Sequence, residues 1–211
     1  MEVKKRTGIE LGKGDSINLM KNGKNYDEIC VGLNWGVIKK KTFLGLLEET
    51  IAVDLDGSLT LFDKHKNPIE TVYYNHLISN DHAIFHSGDD RAGDVEGDDG
   101  QDNELIEIHL HRINPAVHQI VFYLNSYKGQ DFSEIPYSKI RVFEGIRQDL
   151  RDVLCTFNLS AEPSFRGYVS MVLGKLFRTN ENQWNFKAIG APLPSKRIND
   201  TIPLIQQNFL D

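Results

Sequence analysis

Along most of this chain apolar and polar residues alternate with a period of two, the pattern of half-buried strands, and helical periodicity is scarce. Val31–Trp35 and Glu49–Leu55 (ETIAVDL) read as strands rich in β-forming residues. The pattern continues at Tyr73, His82–Phe85, Leu105–Leu110, His118–Ser126, Ile140–Phe143, Val153–Leu159 and Tyr168–Arg178. Turn signals separate the runs: Asp56-Gly57, Asn67-Pro68, Asn114-Pro115, Lys128-Gly129 and Thr179–Gln183. The last of these divides two alternating runs in SMVLGKLFRTNENQWNFKAIG, which predicts a β-hairpin with Trp184 and Phe186 on one core-facing side.

Many short strands at this spacing predict an all-β-dominated chain, a β-sandwich of two mainly antiparallel sheets rather than a parallel α/β sheet. A few short helices are expected, near Gly145–Arg151 and in the tail Asp200–Phe209. In that tail Ile202, Ile205 and Phe209 share a face and predict a lid over one sheet. No repeat, low-complexity linker or internal boundary interrupts the pattern. One domain over residues 1–211 is therefore expected, with its core at about 8–192 and a partly helical tail at 193–211.

Composition changes this picture at one place. A chain of 211 residues is long enough to bury a real core, and a net charge of −6 argues against a nucleic-acid partner, which calls for a basic face. Between Gly88 and Glu104 the sequence reads GDDRAGDVEGDDGQDNE, with eight carboxylates and one base, Arg91. That segment carries more negative charge than the chain as a whole, so the acidity belongs to a loop or a site rather than to the surface at large. The acids are Asp89, Asp90, Asp94, Glu96, Asp98, Asp99, Asp102 and Glu104, spaced by Gly88, Gly93, Gly97 and Gly100.

Two carboxylates held ~4 Å apart repel by about 4 kcal/mol at an effective dielectric of 20. A compact fold keeps so many only in water, protonated, or around a shared cation. Interleaved glycines let the backbone bend and turn its carbonyls inward, which favours the cation. Oxygen donors on a flexible loop suit Ca²⁺ better than Mg²⁺, which demands tighter octahedral geometry. A metal-free interaction domain with a solvated acidic loop is the other reading that composition allows. The spacing is not that of an EF-hand: counted from Asp94, position 6 is Asp99 rather than Gly and position 12 is Leu105 rather than Glu.

A second motif, VDLDGSLTLFD (Val53–Asp63), has the form of the nucleophile loop of haloacid-dehalogenase-type phosphatases. In that chemistry Asp54 attacks phosphorus, Asp56 serves as acid/base, and Mg²⁺ neutralises charge. Only 31 residues separate Asp56 from Gly88, with no convincing amphipathic helix among them, too few for the crossovers of a doubly wound sheet.

The two motifs, in this order and separation, closely resemble the TerD family of tellurium-resistance and stress proteins. The resemblance runs through Leu11-Gly12-Lys13-Gly14, Gly32-Leu33-Asn34-Trp35, Asp54-Leu55-Asp56-Gly57-Ser58, His86-Ser87-Gly88-Asp89-Asp90-Arg91-Ala92-Gly93 and Gly97-Asp98-Asp99, and covers roughly residues 8–192. It implies a Ca²⁺-binding, non-enzymatic β-sandwich in which an acidic loop closes on the end of an Asp-x-Asp strand around one or two ions. Asp54 and Asp56 match the first family motif; Asp89, Gly93, Gly97, Asp98 and Asp99 match the second, with Asp90 where the family often has Asn. Val95 replaces a common Gly, and Gly100–Asn103 displaces the final acid, so that Glu104 or Asp102 is left to complete the site. With Asp94 and Glu96 these residues form the candidate metal-ligand set. The implied partners are other stress-response proteins in an assembly at the inner membrane surface, reached from the cytoplasm.

The remaining chemistry is thinner. Cys30 and Cys155 are far apart with apolar neighbours, which predicts buried free thiols rather than a disulfide. His109 and His111 share a strand face, but no further ligand stands at a zinc-like spacing, so cross-strand or surface roles are expected. No apolar leader and no stretch of membrane-spanning length is present, which places the expected location in the cytoplasm.

Overall fold

The computed structural model describes residues 8–42 and 47–211. Two six-stranded sheets pack face to face. With strands numbered in chain order, the first sheet runs β1 (Ile9–Leu11), β14 (Asp149–Ser160), β13 (Tyr137–Ile146), β5 (Glu28–Trp35), β11 (Glu104–His109) and β10 (Ile84–His86). The second runs β2 (Ser16–Asn18), β16 (Trp184–Leu193), β15 (Ser170–Arg178), β12 (Val117–Ser126), β8 (Leu55–Asp63) and β9 (Pro68–Val72). Two small hairpins lie outside them, β3 (Met20–Lys21) with β4 (Lys24–Asn25) and β6 (Ile38–Thr42) with β7 (Leu47–Ile51). Within the two large sheets every pairing is antiparallel except β1 with β14. The predicted sandwich is therefore the fold.

Alternation explains how each strand is shared between two environments. In β8, Leu55, Leu59 and Leu61 join the core between the sheets, while Phe62 turns to the opposite face. In β12, Ile120, Phe122 and Leu124 point inward, and Val121 and Tyr123 point outward. That outer face is covered by the helix α1 (Ile198–Asn208), whose Ile205 is fully buried against Phe62, Val121, Tyr123, Val172 and Leu193. Ile202 and Phe209 pack at the edge of the same cluster, so the predicted lid is present. The second sheet is thereby apolar on both faces, which explains the unbroken buried run of β12.

Three local expectations differ from the structure. Glu49–Leu55 is not one strand: β7 ends at Ile51 and β8 begins at Leu55. Asp56-Gly57 makes no turn but lies inside β8, paired with Asn125 and Leu124. Gly145–Arg151 is not helical; it forms the β13–β14 hairpin, in which Gly145 adopts φ +107° at an irregularity of the ladder. Besides α1, the helical structure among the described residues is a single 3₁₀ turn, Pro163–Phe165. Cys30 and Cys155 are buried free thiols, as expected, and burial pushes both up to about 12.

Candidate metal centre

Trp35 organises the region where the two acidic motifs meet. It ends β5 fully buried, and its indole Nε1 donates to the carbonyl of Val53 at 2.9 Å. This anchors the segment that leads into β8 and sets Asp54 just before the strand and Asp56 at its second residue. The Asp-x-Asp pair thus sits at the beginning of a strand, not at the end of the one preceding it. The Val53 amide donates to the Ala92 carbonyl at 3.1 Å, and the Asp94 amide to the Trp35 carbonyl at 3.0 Å, so the acidic loop is laced to both motifs through its backbone. Gly93 packs against the indole at φ +71°; a Cβ there would come within 2.8 Å of the ring.

The closure brings three carboxylates together. Asp54, Asp56 and Asp89 each place one oxygen within 4.8 Å of the other two. Asp54 and Asp56 are buried, and the Asp89 side chain is 21% exposed. Their counter-ions are solvent-facing side chains: Lys128 Nζ stands 3.3 Å from Asp54 with a side chain 51% exposed, and Arg91 Nε stands 2.8 Å from Asp89 with a side chain 79% exposed. These long exposed side chains supply little net attraction. Burial, and then the charges of Asp89, Glu104 and Asp54, push the Asp56 carboxyl up to about 7. The cluster holds more negative charge than its surroundings offset.

Glu104 borders this cluster from beneath. Its Oε2 accepts from the Gly57 amide at 2.9 Å and stands 3.4 Å from His86 Nε2, and its Oε1 accepts from the Asp90 amide at 3.3 Å. The Gly88 amide donates to His86 Nδ1 at 3.0 Å, which leaves the ring proton on Nε2, where it faces Glu104 and the Gly57 carbonyl. Gly57 must lack a side chain, because a Cβ would fall 2.0 Å from Glu104 Oε2. Asp90 turns away from the cluster and caps its own loop, accepting from the amides of Ala92 at 2.8 Å and Gly93 at 3.0 Å.

The other candidate ligands are held elsewhere. Asp94 accepts from Asn34 Nδ2 at 2.9 Å, Asn103 Nδ2 at 3.1 Å and the Tyr137 hydroxyl at 2.6 Å. Asp98 pairs with Lys139, and Asp99 accepts from the Gln101 amide at 2.8 Å. Asp102 lies over Gly32, with Arg141 Nε at 2.9 Å; burial raises it to about 6 although Arg141 pulls the other way. Glu96 is exposed, and Gly97, at φ +101°, shapes the turn that follows. The loop therefore divides in two. Asp89 joins Asp54 and Asp56 above Glu104, while Asp94, Asp98 and Asp102 dock on β5 and β13. Sequence reasoning missed Lys128, Tyr137, Lys139 and Arg141, which only strand register brings to the loop.

An all-oxygen set of carboxylates with spare negative charge suits a hard cation such as Ca²⁺. No doubly wound parallel sheet surrounds Asp54, so the dehalogenase-type phosphatase fold is excluded. The histidines have other work: His109 lies between Glu28 Oε1 at 3.1 Å and Glu107 Oε1 at 2.8 Å.

Comparison with known proteins agrees with this architecture. The family model of the TerD domain matches residues 7–200. The chain belongs to the TerD family. It is 31% identical over 193 residues to the tellurium resistance protein TerZ of Serratia marcescens, covering 91% of this chain and 94% of that one. General stress protein 16U of Bacillus subtilis is 26% identical, with 87% and 90% covered. The crystal structure of a homologue of the telluride resistance protein TerD from Streptomyces coelicolor superposes with a TM-score of 0.61 over 86% of this chain and 96% of that one, at 17% identity, a likeness of fold. Among the described residues no helix is long and apolar enough to cross a membrane.

Proposed function

We propose that this TerD-family chain is a non-catalytic Ca²⁺-binding protein of the tellurium-resistance and stress-response type. The observation that carries the reading is the convergence of Asp54, Asp56 and Asp89 at one point, with Glu104 beneath them and only exposed side chains as counter-ions. A cation there replaces Lys128 and Arg91, removes the mutual repulsion, and ties the acidic loop to the start of β8. The three-carboxylate geometry supports one ion at this point, because Asp94, Asp98 and Asp102 already have partners. Backbone carbonyls and water complete the six to eight oxygens that Ca²⁺ takes. A ligand that prefers the folded state adds about 2.7 kcal/mol of stability at a hundredfold excess over its Kd.

The ordered loop offers a surface for protein partners in a stress-response assembly, which we place on the cytoplasmic side of the membrane. Direct capture of tellurite is disfavoured, since an oxyanion meets an acidic cluster and the two thiols are buried and protonated. Calorimetry of chelator-stripped protein tests the reading, with Mg²⁺ as competitor and Asp89→Asn as the control. Ca²⁺-selective heat, weakened at least tenfold in the variant and accompanied by a raised melting temperature, is expected. Absence of heat and of any thermal shift would overturn it.

A further inference from the structure

Among the lysines and arginines of the described residues, Lys175 of β15 is the one that is buried, with 2% of its side chain exposed. It lies beside Gln119 of β12 on the outer face of the second sheet, and all three protons of its ammonium are taken. Nζ donates to Gln119 Oε1, to the Phe209 carbonyl and to Asp211 Oδ2, each at 2.8 Å. Helix α1 has no basic residue in its last turn, so this lysine supplies the cation that a helix C-terminus favours. The segment beyond the helix is held at two further points. Lys66 Nζ donates to the Leu210 carbonyl at 3.0 Å, and the Asp211 amide donates to Gln119 Oε1 at 3.3 Å. Residues 209–211 thus lie in a cradle of lysines as a bound peptide would, with a carboxylate on the buried ammonium.

The cradle is larger than its occupant. A cavity of about 260 Å³ adjoins Asp211, which is the acid among its lining residues, while Lys13, Lys175 and Lys187 line it with positive charge. Lys13 is exposed and Lys187 half-buried, and neither makes a side-chain hydrogen bond or ion pair among the described residues. Acids of the adjoining loops are engaged by their own backbone. Asp15 accepts from the Gly12 amide at 2.8 Å, and Asp63 accepts from the amides of His65 and Asn67, each at 2.8 Å. Burial pulls Lys175 below its ordinary value, Asp211 pushes it back up, and Lys187 and Lys66 pull it down again. One carboxylate therefore answers several lysines, in a chain whose net charge is −6, and open space remains beside the two that are unpaired. The Asp211 side chain is 68% exposed, so the contact that fills the cradle is open to exchange.

We propose that this cradle is a docking site for an acidic peptide segment of a partner protein, and that residues 209–211 fill it when the partner is absent. The partner's chemistry follows from the present occupant and from the charge that occupant leaves unmet. It offers apolar side chains in the places of Phe209 and Leu210, one carboxylate to Lys175, and further carboxylates to Lys13 and Lys187. Docking exchanges an internal contact for an external one, so the apparent affinity is reduced by the fraction of molecules in which the internal segment is seated. Ile205, buried against the sheet, keeps α1 in place while the residues beyond Asn208 exchange. The cradle shares no residue with the carboxylate cluster and stands independently of the Ca²⁺ reading.

The test is fluorescence anisotropy on the full chain, with a dye-labelled, amidated peptide carrying the sequence of residues 206–211 followed by two glutamates. Asp211→Asn weakens the internal occupant, keeps an oxygen for the ammonium and leaves every lysine in place. This variant should bind the peptide about tenfold more tightly than the unchanged protein does, the worth of one charge-assisted hydrogen bond. A control peptide with amides in place of its three acids should bind the variant about tenfold more weakly or worse. Adding Lys13→Gln/Lys187→Gln to Asp211→Asn should weaken the acidic peptide about fivefold and leave the melting temperature unchanged. No binding to the Asp211→Asn protein, or equal binding of the acidic and amide peptides, overturns the proposal and leaves Lys175 and Asp211 as a fixed fastening of α1. Sedimentation is expected to give one mass for the unchanged and Asp211→Asn proteins. A dimer that Asp211→Asn dissolves would put a second copy of the chain in the cradle and overturn the assignment to a different partner.

Discussion

His86 and Glu104 face each other with side chains wholly removed from solvent, Nε2 to Oε2 at 3.4 Å, directly beneath the two motifs that carry the site's carboxylates. The imidazole arrives from the end of β10 and the carboxylate from the start of β11. Between them they hold Gly57 of β8 and the backbone of Gly88 and Asp90. The acidic loop thus starts and ends on one buried polar strut. Glu104→Ala would strand the Gly57 and Asp90 amides without an acceptor and leave the His86 proton only the Gly57 carbonyl at 3.2 Å, and should cost about 1–3 kcal/mol for each stranded amide. Chemical denaturation measures it, and a loss below about 1 kcal/mol would show that the strut is dispensable.

Glycine 57 can be tested through its neighbour. Gly57→Ala places a Cβ 2.0 Å from Glu104 Oε2 and 2.6 Å from Leu33 Cδ1, so it should destabilise by about 2 kcal/mol or more. Gly32→Ala meets Asp102 in the same way, with 2.1 Å to Oδ2. Adding Asp102→Ala to Gly32→Ala removes the colliding carboxylate, and the double variant should lose less stability than the sum of the two singles. Strict additivity in denaturant melts would contradict the contact.

The pH dependence of the metal-free protein follows from Asp56 and Asp102, raised to about 7 and about 6 from an ordinary value of 3.8. The folded state binds their protons more tightly than the unfolded chain does. Stability is therefore fullest below the unfolded value and falls as pH rises from about 4 towards about 7. In chelator the melting temperature should be lower at pH 7.5 than at pH 5.5. Asp102→Asn should flatten the lower part of that slope. A melting temperature that climbs through this window would contradict the assignment.

Lys128 should oppose cation binding. It stands 3.3 Å from Asp54 and must leave when a metal enters. The lysine is half exposed while Asp54 is buried, which puts the pair near about 1 kcal/mol, the top of the range for exposed pairs, so Lys128→Met should tighten Ca²⁺ roughly fivefold. A Ca²⁺ affinity that weakens in the variant would contradict this.

The sandwich was legible because alternation survives in most strands, and the tail helix because Ile202, Ile205 and Phe209 keep their spacing. Two glycines misled the reading for physical reasons. Gly57 looked like half of a turn, yet it lies in a strand paired with Leu124, and it is a glycine because Glu104 occupies the space of a side chain. Gly145 sat in a stretch that looked helical, yet it supports a hairpin irregularity. The acidic loop announced a cluster of charge but not its division. Tyr137, Lys139 and Arg141, which hold Asp94, Asp98 and Asp102, come from β13, far along the chain, and nothing near the loop encodes that strand's register.

Trp35 gives the molecule an optical gauge of its own. Its indole contacts Gly93 of the acidic loop and donates to Val53 beside Asp54, whereas the second tryptophan, Trp184, is buried beneath the Arg178 guanidinium in the second sheet. With Trp184→Phe the emission of a single fluorophore would report the loop's state directly. Stopped-flow mixing with chelator or cation could then time its opening and closing without any label.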